Sequence, residues 1–203
     1  MDDPRVGRWL TALAVTPGLT SIKDPDEARR LHVEDALAAA DLLERGPVVD
    51  VGSGGGSPGI PLAAARPDLG FALLEATRRK CAFLREHTAA FPNVEVVCAR
   101  AEEHALGQGR EAYGAAIARA LAALPVALEL CLPLVAVGGL CVLYTGAVED
   151  DLGRVSAQLG GGTPELVPVR GSERRNLVVV RKLEPTPGRF PRRPGTARKR
   201  PLR

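Results

Sequence analysis

Two hydrophobic periods divide the chain. Over Arg8–Ala14 and Asp26–Leu43 apolar and charged positions recur at helical spacing, with Leu31, Asp35 and Leu42 marking the two faces, so both stretches are expected to be helices. Asp26 is expected to cap the second, because its carboxylate can accept the free N–H groups of a first helical turn. From Pro47 the period shortens. Pro47-Val48-Val49-Asp50-Val51, closed by Gly52, is a short β-branched run of the kind that forms a buried strand. Gly70–Glu75 repeats it and leads into a helical stretch over Arg78–Ala90. Val94–Cys98 reads as a third strand and Ala115–Ala118 as a weaker fourth, followed by a helix near Leu124–Leu134. Gly139–Tyr144 is a fifth strand, and Val148–Leu159 the next helix.

Leu166–Val169 and Asn176–Val180 then follow with only Arg170–Arg175 between them. That gap is too short for a crossover helix, so the two runs must pair antiparallel. Five strands alternating with helices pair in parallel, with helices on both faces. The predicted fold is α/β, an open, mostly parallel seven-stranded sheet with a reversed edge hairpin. Residues 1–45 should pack on it as an N-terminal helical cap, residues 46–188 form the core, and residues 189–203 form a separate basic tail.

Composition narrows the class. At 203 residues, 45% apolar and 25% charged, the chain suits one folded domain with at most a small appendage. No apolar run approaches the roughly 20 residues of a spanning helix, and the acidic start Asp2-Asp3-Pro4 does not resemble a secretory signal, so a cytoplasmic location is expected. The net charge of +3 conceals an asymmetry. Residues 189–203 hold seven basic groups and no acid, which leaves 20 basic against 24 acidic groups before them, a net of −4. A weakly acidic body with a strongly basic end points to a polyanionic partner. Cys81, Cys98, Cys131 and Cys141 lie in apolar surroundings without CxxC spacing, so all four are expected to be reduced core residues. His32, His87 and His104 show no ligand grouping, and no metal site is expected.

The sharpest chemical signal follows the first strand. In Asp50-Val51-Gly52-Ser53-Gly54-Gly55-Gly56-Ser57-Pro58-Gly59, glycines let the backbone turn through positive φ and approach a ligand at the carboxyl edge of the sheet. Glu75, at the end of the second strand, can accept both hydroxyl hydrogens of a ribose. Gly54, Gly56 and Gly59 formally fit a dinucleotide fingerprint, which keeps a NAD(P)-dependent oxidoreductase open as the alternative. Pro58 and Pro61, however, lack the N–H groups a pyrophosphate needs, and Asp50 favours a cation over bound phosphates. S-adenosyl-L-methionine, a sulfonium without phosphates, fits better.

Several stretches match one family in order. They are Leu19–Pro25 with His32 and Asp35, Asp50–Gly54 with Pro58–Leu62, Arg66–Leu69, Arg78–Lys80 with Phe83-Leu84, Arg100-Ala101-Glu102, Ala118–Ala120, Arg174 with Asn176–Val179, and Pro191–Gly195. Over nearly its whole length the chain resembles the RsmG family, also called glucose-inhibited division protein B, which methylates N7 of a guanosine in a single-stranded loop of 16S ribosomal RNA. The resemblance implies a Rossmann-like class I methyltransferase fold. It places the methyl donor against Gly52, Gly54, Ser57, Ala101, Glu102 and Arg119, with Glu75 on the ribose. Its partner would be 16S ribosomal RNA or a small ribosomal subunit intermediate, met by a monomer. Contacts to RNA are expected from His32, Arg192, Arg193, Lys199 and Arg200, with Arg78, Arg79 and Lys80 as further phosphate partners.

Three positions depart from the family pattern: Leu31, Ser57 and Thr145. Leu31 and Thr145 motivate a further alternative, a non-catalytic RNA-binding assembly factor that keeps the fold. Only seven aromatic residues occur, so the RNA should be read by shape and charge more than by stacking. N7 carries an in-plane lone pair and no proton, so no catalytic base is expected, and the chemistry reduces to alignment.

Overall fold

A computed structural model describes residues 2–146, 152–169 and 175–203. Its sheet holds β1 (Val48–Val51), β2 (Phe71–Glu75), β3 (Val94–Cys98), β4 (Tyr113–Arg119), β5 (Val135–Thr145), β6 (Glu165–Pro168) and β7 (Asn176–Arg181) in the spatial order β3-β2-β1-β4-β5-β7-β6. The first five strands are parallel, while β7 runs antiparallel between β5 and β6. The order reverses at the β1–β4 pair, where Val48 lies opposite Phe71 on one side and Ala115 on the other. At that switch the connections leave in opposite directions and open a crevice beyond the carboxyl ends of the strands. The mostly parallel sheet and its reversed edge hairpin match the sequence expectation.

Alternation along β4 explains the two layers. Ala116 and Ala118 face one way and join Val49, Val51, Leu74 and Leu143 against Leu128 and Cys131 of α6 (Leu124–Cys131). Ala115 and Ile117 face the other way, against Leu62 of α3 (Gly59–Ala65) and Ala39 and Leu43 of the N-terminal segment. Both faces are covered, which is why the central strands are apolar throughout. A third cluster seats α1 (Pro4–Val15): Trp9 and Leu13 pack with Ile60, Leu73 and Leu84. Trp9 is fully buried, and its Nε1 donates to the Gly55 carbonyl at 2.7 Å, so the cap holds the glycine turn directly.

The N-terminal segment departs from its expectation. A helix does begin there, but α2 (Pro25–Arg29) is capped by Asp24, whose Oδ1 accepts from Glu27 N at 2.8 Å. Pro25 explains the shift: it has no N–H and a fixed φ, which suits the first helical position and leaves the capping role to the residue before it. The chain then widens into a π turn over Arg30–Glu34, where Asp35 N donates to Arg30 O, and tightens into a 3₁₀ segment over Ala36–Leu42.

Further helices were not legible as such: α3, α5 (Ala101–Leu106) and α8 (Thr196–Lys199) are short and carry weak periodicity. The others are α4 (Arg78–Thr88) and α7 (Leu152–Gln158). The expected start of the latter at Val148 and the family-matching Arg174 lie outside the described residues.

Two of the cysteines are not reduced. Cys81 and Cys98 form a disulfide with their Cα atoms 5.9 Å apart, while Cys131 and Cys141 are buried thiols. The β2–β3 register sets Cys98 opposite Glu75, which brings it under the first turn of α4, a proximity that sequence spacing does not reveal. The basic end is folded. Phe190 and Ala197 enter the core, α8 lies on α6, and Arg192 forms a two-pronged ion pair with Glu129, which is 1% exposed. Among the described residues no helix is long and apolar enough to cross a membrane.

Candidate active site

The turn after β1 is built by glycine. Gly52 N and Ser53 N both donate to Leu74 O, at 2.8 and 3.1 Å, which bends the chain off the sheet edge. Gly52 has φ 72° and Gly54 φ 58°, a region side chains avoid. A Cβ on Gly52 would also stand 2.5 Å from Leu121 Cδ1 in the β4–α6 connection.

Asp50 does not face this turn's open side. Its Oδ2 accepts from Gly59 N at 3.1 Å, and the residue is 1% exposed. Burial raises its pKa to about 7 against the opposing pull of that N–H. The expected cation partner is therefore a structural brace that ties β1 to the start of α3.

Glu75 closes β2 at the same edge. Oε2 accepts from Gly54 N at 3.0 Å and Oε1 from Thr77 N at 2.7 Å. Each carboxylate oxygen has two lone pairs, so both keep an acceptor position for a vicinal diol. The backbone fixes the carboxylate without exhausting it, which is what a ribose clamp requires. Ala99 N donates to Glu75 O and brings the start of α5 alongside. Ala101 and Glu102 open that helix. Glu102 Oε1 accepts from Gly195 N at 3.0 Å, so its side chain is engaged by the C-terminal segment. Ser57 Oγ donates to His32 O at 2.7 Å and links the glycine turn to the wide turn of the cap.

Arg119, the last residue of β4, meets the same wide turn. Nη1 donates to Leu31 O, and Nη2 lies 3.0 Å from His32 Nδ1. A guanidinium has no acceptor, so Nδ1 must carry the lone pair, and Nε2–H donates to Thr20 Oγ1 at 3.0 Å. Burial, and then the Arg119 charge, lower the His32 pKa to about 4. The imidazole is neutral, in one tautomer. Burial also lowers the pKa of Arg119, partly offset by Asp50; the guanidinium stays charged regardless.

Beyond Arg119 a cavity of about 570 Å³ opens between the cap and the ends of β4, β5 and β7, within the size range of ligand pockets. His32, Asp35, Arg119, Tyr144, Arg175 and Asn176 are among its walls. Ala120 lines it too, with φ 53°, a strained conformation for a residue with a side chain. The glycine turn and Glu75 are not in its lining. The cavity and the glycine turn meet at His32, which lines the first and accepts from Ser57 Oγ of the second.

Sequence reading missed Tyr144, whose Oη donates to Ala36 O, and Arg175. Both were accessible from topology: Tyr144 is near the carboxyl end of β5, and an antiparallel β7 presents its first residues to that same edge. In the basic end, Arg192 is taken up by Glu129 and Arg198 donates to Leu121 O, whereas Arg193, Lys199 and Arg200 are exposed. Arg79 donates to Pro17 O.

Solved methyltransferases share this architecture. The S-adenosylmethionine-dependent methyltransferase SibL superposes with a TM-score of 0.62 at 16% identity, over 86% of this chain and 62% of that one. A Thermus thermophilus 16S rRNA N2 G1207 methyltransferase superposes with a TM-score of 0.55 at 18% identity, over 85% of this chain and 43% of that one. The architecture is that of the class I methyltransferase fold. At the level of sequence, the family model described as rRNA small subunit methyltransferase G matches residues 8–178. Proteins named ribosomal RNA small subunit methyltransferase G are 40% identical in Moorella thermoacetica (91% of this chain, 82% of that one) and 38% identical in Deinococcus radiodurans (91% and 78%). The chain belongs to the rRNA small subunit methyltransferase G family, which sets aside the oxidoreductase alternative.

Proposed function

We propose that this chain transfers a methyl group from S-adenosyl-L-methionine to N7 of a guanosine in 16S ribosomal RNA, acting as a cytoplasmic monomer on the RNA or on a small-subunit intermediate. The observation that carries this reading is a connection: in a chain of this family, the glycine turn that bonds Glu75 also bonds His32, which lines a nucleotide-sized cavity. When bound, the cofactor supplies an electrophilic methyl on a cationic sulfur. Gly52 and Gly54 permit close approach of the backbone, Glu75 takes the ribose hydroxyls, and Ala101 and Glu102 at the start of α5 flank the adenine.

Residues 46–188 form the transfer core, with residues 1–45 closing the substrate side and residues 189–203 carrying positive charge to the RNA. The target base must leave its stack to enter the cavity. Nothing need remove a proton from N7, so the chain's task is to hold the base and the methyl in line. Arg119 and the neutral His32 brace the cap against β4 at the boundary between donor and acceptor. Arg193, Lys199 and Arg200 remain available for phosphates, whereas Arg192 serves the fold.

The test is incubation with methyl-labelled cofactor and small subunits that lack the modification, followed by digestion to nucleosides. Label should appear in N7-methylguanosine alone. Label on a ribose oxygen or a base carbon would refute the assignment, and cofactor binding without any transfer would favour the non-catalytic alternative.

A further inference from the structure

The cavity has one feature that positioning alone does not explain. Asp35 sits where the wide turn gives way to the 3₁₀ segment, yet its side chain makes no cap. Its carboxylate is 14% exposed and lines the cavity, with Oδ2 taken up by an ion pair. The group against it is the guanidinium of Arg175, through Nη1.

We propose that Asp35 reads the Watson–Crick edge of the target guanine, accepting N1–H and N2–H on its two oxygens, and that Arg175 holds the position until the base arrives. This rests on the functional reading above. Guanine itself contains a guanidine fragment: N1–H and the exocyclic N2–H₂ are adjacent donors that meet a carboxylate as an arginine does. The side chain now paired with Asp35 is therefore chemically similar to the ligand.

Direction agrees. To be methylated, N7 must face the glycine turn at β1, and N7 lies on the opposite side of the purine from N1 and N2. Its Watson–Crick edge must then point away from the cofactor, toward the cap and the start of β7, which is where Asp35 and Arg175 stand. Adenine would present the N1 lone pair to the carboxylate and be rejected. Burial, and then the Arg30 charge, disfavour the charge of Arg175 where it stands; once displaced, it becomes available to an RNA phosphate.

The experiment compares small subunits reconstituted with guanosine or with inosine at the target position; inosine keeps N7 and N1–H and lacks only the N2 amino group. Wild-type kcat/KM should fall about 10-fold on inosine. Asp35→Ala should lose about 100-fold on guanosine, bring the guanosine-to-inosine ratio close to one, and bind S-adenosylhomocysteine with unchanged affinity by calorimetry. Equal wild-type rates on the two subunits, a measurement that needs no variant, would overturn the assignment while leaving the methyltransferase reading intact. So would a folded Asp35→Ala that retains the preference. If wild type fails to methylate even guanosine subunits, the functional reading falls and this proposal with it.

Discussion

Asp50, 1% exposed near the end of β1, is a buried acceptor for Gly59 N–H. The pKa, raised from 3.8 to about 7 chiefly by burial, fixes the sign of a testable effect. Between those values the folded state retains a proton that the unfolded state has lost, so this group's contribution is complete below about pH 4 and declines as pH rises toward 7. Asp50→Asn keeps an oxygen for Gly59 and cannot ionise. Relative to that variant, the wild-type urea midpoint should fall between about pH 4 and about pH 7; a constant difference would contradict this. Gly52 offers a second test. With φ 72° and Leu121 in the path of a Cβ, Gly52→Ala should lose about 2 kcal/mol of stability and weaken cofactor binding, as thermal unfolding with and without S-adenosylhomocysteine would report.

Among the elements, the wide turn at Arg30–Glu34 and the basic end depart furthest from their periodicity. A uniform helix over Asp26–Leu43 satisfies the sequence pattern, but Arg119 and Ser57 take the Leu31 and His32 carbonyls from outside. That tertiary bonding favours a local widening, a distortion that recurs at functional sites. The end of the chain reads as charge alone, because its apolar anchors, Phe190 and Ala197, are sparse. Its arginines accordingly divide into two kinds. Arg192→Ala strands the carboxylate of Glu129, which is 1% exposed, and should cost about 3 kcal/mol, visible as a lower melting temperature. Replacing Arg193, Lys199 and Arg200 together with Gln should leave melting unchanged. It should also flatten the slope of log affinity against log salt for RNA by about 2. A melting loss in the triple variant, or an unchanged slope, would refute this division.

At the scale of the whole molecule, strand alternation and the one short hairpin gap were enough to establish a parallel sheet with a reversed edge, because those constraints are local and additive. The strand order, the Cys81–Cys98 bridge and the cavity depend on which elements meet, and no single segment encodes them. The proposed cofactor edge could be put together from sequence because its parts follow directly on β1 and β2. The cavity proposed for the substrate could not, because it is assembled from the cap, β4, β5 and the incoming end of β7.

On this reading the turn after β1, with Glu75 beside it, holds a sulfonium nucleoside and not a dinucleotide. Isothermal titration of the purified protein with S-adenosylhomocysteine and with NADH tests this most directly. Saturable binding of the first is expected, weakened about 10-fold or more in Glu75→Ala through loss of charge-assisted bonds to the ribose, with no binding of the second. Binding of NADH, or an affinity for S-adenosylhomocysteine that ignores Glu75, would contradict it.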